Sequence, residues 1–392
     1  MLPQSHATAG EKVLDHQSIL LENFARTRLG TSVFQPDADD PNTHIFQVSL
    51  ESAFEQFRWT SEATKGANES FKINAGFLDT FSPNALADRF EEEYFLGIHV
   101  ALFVAINEFA MFCFAQQEFF PDLGDASKES SPKPWNEQLP GIWLLDNTLK
   151  GGGVDYEHSK HLIPTDPQRY ISSQLLAFLM TRFVWLHELA HCFNGHVDLV
   201  QNLDIALRLH ELPQELSLAG KSKDQARSLT DEQKQILRCL ELDADESAFF
   251  ASCAVQMRNM ENIEGIRELE PDVALRLTVF ASYAMVWLFD AFQDYAKTAL
   301  GDTHPAPSLR LQNLLQTAQN RLFAESNDFE QFHGKALQEF DPIKKAIPGM
   351  FEFGTLREMA HSDELATELE QLEPKRAEVS SMLRPYEFSV KR

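Results

Sequence analysis

Basic residues are scarce in this 392-residue chain, 34 Lys and Arg against 59 Asp and Glu, for a formal charge of −25. Nucleic-acid binding needs clustered cations to meet the phosphates, so no nucleic-acid partner is expected. An anionic membrane surface would repel the chain for the same reason. Cysteine is also sparse. The four residues Cys113, Cys192, Cys239 and Cys253 sit in apolar stretches without a CxxC pair, which predicts reduced, packed thiols and a cytoplasmic setting rather than a disulfide framework. The opening MLPQSHATAGEK has no basic segment followed by an apolar one, so no signal peptide is expected.

Long uninterrupted apolar runs are lacking too. Leu96–Ala115 has the length of a membrane span but carries His99, Asn107 and Glu108, and Leu277–Phe289 is short and ends at Asp290. Both read as buried helices, and no stable membrane insertion is expected. There is no internal repeat. Tyrosine (6) and tryptophan (5) are few beside 31 phenylalanines, a balance that suits core filling more than a recognition surface.

What is present is a chain with enough apolar residues, 43%, for a substantial core. The periodicity predicts a mainly α fold with a small β-sheet (α+β). Short strands are expected at Ile45–Leu50, Phe71–Phe77 and Gly141–Asp146, with a turn at Gly151–Gly153. Helices are expected over about 83–120, 166–193 and 203–212, from Thr230 to about Leu300, after Pro305 and Pro307, and near 355–380. Residues 121–140, rich in Pro, Ser and charge, read as a surface loop. The resulting division is an N-terminal segment 1–40, a catalytic domain 41–350 and a C-terminal helical tail 351–392.

The chemistry concentrates in FVWLHELAHCFNGH, residues 183–196. His187 and His191 stand four apart, so on a helix both imidazoles leave one face and can share a metal ion. Glu188 sits beside the first histidine, where a carboxylate can serve a metal-activated water as general base. Asn194-Gly195 supplies a helix stop. Catalytic zinc takes three protein ligands and keeps one position open. Candidates for the third are His196, Asp198 and the cluster CLELDADESA at 239–248. His196 lies beyond the helix stop, so the cluster is preferred. There Glu241 and Asp245 share a helix face, one to bind metal and the other to fix a ligand histidine. Ala244 and Ala248 would let the two helices approach closely. Asp243 and Glu246 read as a solvated face.

A third element, Thr303-His304-Pro305 with Arg310 beyond, places a histidine and an arginine at the entry of a new helix. Taken in order, HELAH, Glu-Leu-Asp-Ala-Asp and Thr-His-Pro followed by arginine resemble the gluzincin peptidases, most closely the group containing HtpX and the CAAX prenyl proteases. The resemblance spans about residues 170–315. It implies a zincin-like core with a Zn2+ held by His187, His191 and Glu241, Glu188 as catalytic base, Asp245 orienting a ligand histidine, and His304 and Arg310 stabilising the oxyanion or positioning substrate. Members of that group are membrane proteins, and this chain has no run that reads as a span. A cytoplasmic zinc metallopeptidase acting on a soluble protein or peptide is therefore expected. The competing expectation is a catalytically inactive, zinc-stabilised protein-binding module.

Overall fold

A computed structural model describes residues 19–36, 44–63, 71–129, 162–203, 209–210, 229–258, 260, 263–296, 304–323, 328–346 and 362–388. Helix α1 (His44–Ala63) covers the stretch Ile45–Leu50 that the sequence predicts as a strand. Its buried positions Phe46, Ser49, Ala53 and Phe57 fall on a helical period. Over six residues that period is indistinguishable from alternation, and only the longer run reveals it.

Strand β1 (Ile73–Leu78) lies where a strand is expected. The region 83–120 is not one long helix. It opens with β2 (Ala85–Phe90) and β3 (Glu93–His99), and only then becomes α2 (Val100–Phe114). The two strands pair antiparallel, Phe90 opposite Glu93, around a two-residue turn at Glu91-Glu92 in which Glu91 takes a left-handed φ of 58°. A turn without glycine or asparagine gives no sequence signal.

The other cause is burial on both faces. Residues 19–29 are helical and pack Leu21, Phe24 and Ala25 on one side of the sheet, against Leu78, Leu86 and Phe95. The opposite side, with Ala75, Phe77, Ala87 and Leu96, joins the main core. A sheet covered twice shows no apolar–polar alternation.

Helix α3 (Pro167–Phe193) starts at Asp166, whose side chain accepts from the amides of Gln168 and Arg169. It is buried along most of its length, and Trp185 donates to Ser49 Oγ on α1 at 3.3 Å. The short helix α4 (His196–Asn202) follows Gly195 directly. The expected helix 203–212 is not formed as read. Leu209–His210 is strand β4, and 204–208 and 211–212 lie outside the described residues. The sheet order is β1-β3-β2-β4, with β1 parallel to β3 and the other pairs antiparallel. The expected strand at Gly141–Asp146 and the turn at Gly151–Gly153 also lie outside the described residues.

Helix α5 (Asp231–Met257) begins at the anticipated Thr230, which forms a capping box with Gln233. It is followed by α6 (Glu264–Arg267), α7 (Pro271–Ala296), α8 (Pro307–Thr317), α9 (Phe329–Gln338), α10 (Phe340–Ala346) and α11 (Asp363–Leu383). The architecture is thus mainly helical with a small sheet. Within α7 the apolar run extends back to Pro271. Pro271–Phe289 is long and apolar enough to cross a membrane by length and composition, but 94% of that window is buried inside the structure. Helix α11 packs Leu369 onto Leu242 of α5 and Leu309 of α8, which binds the C-terminal part of the chain to the two helices nearest the motif residues.

Candidate metal centre

Helices α3 and α5 bring the candidate donors together because both present small or apolar surfaces to each other. Ala244 and Ala248 on α5 are fully buried, as their role as close-approach positions requires. His187 and His191 project from successive turns of α3, with their Nε2 atoms 3.0 Å apart. Glu241 reaches in from α5 and straddles the pair, Oε2 lying 3.4 Å from His187 Nε2 and Oε1 3.6 Å from His191 Nε2. A tetrahedral ion with bonds of about 2.0–2.2 Å places neighbouring donors about 3.3–3.5 Å apart. The observed edges bracket that spacing.

Two further features fit a divalent cation. All three residues are buried, and Glu241 Oε2 has no hydrogen-bond partner among the described residues. Such an oxygen away from water is costly unless a cation or donor meets it. The buried His187–His191–Glu241 group can therefore hold a metal ion.

The surrounding side chains orient the donors. Asp245, one turn after Glu241, lies with Oδ1 3.1 Å from His187 Nδ1. Arg310 of α8 binds the same carboxylate twice, Nε to Oδ2 and Nη2 to Oδ1, both at 2.7 Å. Burial opposes ionisation of Asp245, but the charge and hydrogen bonds of Arg310, joined by His187, hold its carboxyl below the ordinary aspartate value. Arg310, expected near an oxyanion, thus has its guanidinium on Asp245. His304 lies at the approach to α8, with Nε2 3.8 Å from Glu241 Oε1. Glu188 is 1% exposed and one residue round the helix from the histidines. Its charge reaches Cys192 on the next turn, whose thiol is raised well above the usual value by burial and then by Glu188.

Of the other ligand candidates, Asp198 is taken up by Arg89 and Tyr94 of the sheet. His196 is wholly buried and approaches His191 through its other nitrogen, Nδ1 to Nδ1 at 3.0 Å. Its Nε2 lies 3.1 Å from Asp243 Oδ2, which also accepts from Asn194 Nδ2 at 2.7 Å. Asp243, read from sequence as part of a solvated face, is therefore engaged with the helix that carries the histidines. No periodicity could reveal this, because the contact depends on how the end of α3 meets α5.

The chain matches no known protein family, no curated protein and no solved structure.

Proposed function

We propose that the chain is a zinc-dependent metallopeptidase with a zincin-like core, related to the gluzincins, that hydrolyses peptide bonds of a cytoplasmic protein or peptide. The observation that carries this reading is the convergence of His187, His191 and Glu241 from two helices, with Glu188 next to the first histidine and Asp245 behind it. Zinc bound by these three residues supplies Lewis acidity that lowers the pKa of water and polarises a carbonyl. Glu188 accepts the proton of the attacking water and returns it to the leaving amine. His304 is the side chain suited to donate to the oxygen that gains charge. Arg310 acts on the reaction through Asp245, which keeps His187 turned toward the ion.

A second reading is favoured by the burial of the centre. Glu188, His187, His191 and Glu241 are 0–2% exposed, as suits a structural ion in a binding module. In that reading His304 becomes a fourth ligand and closes the coordination sphere, leaving Glu188 without a chemical task.

Elemental analysis of the purified chain and of Glu241→Ala tests the metal. About one zinc per wild-type chain, sharply weakened in the variant, is expected for a three-ligand site. No zinc after reconstitution overturns the proposal. His304→Ala separates the two readings. Retained zinc with reduced peptide hydrolysis supports the peptidase, and loss of zinc supports the structural ion.

A further inference from the structure

We propose that His196 and Asp243 form a positioning relay that fixes the tautomer and ring plane of His191, making this ligand as firmly oriented as His187. The inference rests on the metal reading of the His187–His191–Glu241 group and deepens it.

Each contact determines the next. For His191 to offer the Nε2 lone pair beside His187 and Glu241, its ring proton must lie on Nδ1. That nitrogen is 3.0 Å from Nδ1 of His196, so the His196 atom must accept. The proton of His196 then lies on Nε2, which is the nitrogen 3.1 Å from Asp243 Oδ2. The carboxylate is an acceptor only, which closes the chain of donors in one direction. Asn194, the C-cap of α3, donates to the same oxygen at 2.7 Å and to Ser247 at 3.0 Å, tying Asp243 to the end of the histidine helix.

The position of His196 explains why it is not itself a ligand. It begins α4 immediately after the left-handed Gly195, and this reversal carries it to the Nδ1 side of His191. The two ligand histidines thereby receive carboxylates from one helix by different routes, His187 directly from Asp245 and His191 through an interposed imidazole from Asp243. Outer partners of this kind typically contribute about 10- to 100-fold in metal affinity.

The test is a zinc competition titration on the full chain, using wild type, His196→Ala, His196→Asn and Asp243→Asn. The relay predicts zinc binding weakened by about 10- to 100-fold in His196→Ala and measurably in Asp243→Asn. His196→Asn should recover much of the loss, because its amide oxygen can accept from His191 Nδ1. Apo-state thermal unfolding, measured alongside, separates altered binding from altered folding. Asp243 is 41% exposed in its side chain, so its variant remains informative if His196→Ala does not fold. Wild-type zinc affinity in folded His196→Ala or Asp243→Asn overturns the relay alone. So does a His196→Asn variant no better than alanine. A wild-type chain that binds no zinc overturns the metal reading, and the relay with it.

Discussion

Asp245 Oδ1 lies 3.1 Å from His187 Nδ1 and accepts a 2.7 Å bond from Arg310 Nη2, so one buried carboxylate joins a candidate ligand to a cation on a third helix. Removing one partner of such a pair leaves an uncompensated charge away from water. Asp245→Ala and Arg310→Ala are each expected to destabilise the chain by about 3–5 kcal/mol. The double variant should cost clearly less than the sum. Urea denaturation of the four proteins checks this, and additive losses would show that the two groups are not coupled.

Glu188→Gln removes a base while keeping size and shape. Zinc content and thermal midpoint should stay near wild type, and hydrolysis of an unfolded-protein substrate should fall by about 100-fold or more. A variant that cleaves at the wild-type rate would take the role of base away from Glu188.

Gly195 combines a φ of 80° with a close approach from the C-terminal segment. A Cβ placed there would lie 2.6 Å from Tyr386 Cβ and 2.8 Å from Tyr386 carbonyl carbon. Two residues on, Phe388 N donates to Phe193 O at 3.0 Å. Gly195→Ala should therefore cost more than about 1 kcal/mol and loosen residues 386–388. Limited proteolysis read by mass spectrometry should show earlier cleavage at that end. Unchanged cleavage would mean that the contact adds little.

Glu339 accepts from the Phe120 amide at 2.8 Å in a confined setting. Burial pushes its carboxyl up to about 7 from an ordinary 4.5, against the opposing effects of the Phe120 amide and Arg276. Between these values the folded chain binds more protons than the unfolded one, so stability falls as pH rises. Glu339→Gln keeps an acceptor and does not ionise. Its unfolding midpoint relative to wild type should rise from pH 4.5 to 7 and level off above. A difference independent of pH would show that Glu339 titrates normally.

Thr230 and Asp166 identify their helix starts from sequence because capping is local, a side chain meeting an amide two or three residues away. The shared faces of His187 with His191 and of Glu241 with Asp245 are likewise local, set by the helical repeat. By contrast, the β2–β3 hairpin gave no signal, since its turn is Glu91-Glu92 and both faces of its sheet are covered. Alternation records a difference between two environments, and here there was none.

By itself, the sequence determined the mainly helical character, the two helices that carry the candidate donors and the residue types suited to a metal. Tertiary structure alone decided that Arg310 meets Asp245, that His196 stands behind His191 and that Asp243 meets His196. These contacts join residues 65, 5 and 47 positions apart through the packing of helices and the reversal at Gly195. A helical repeat fixes which side chains share a face, but not which neighbour that face meets.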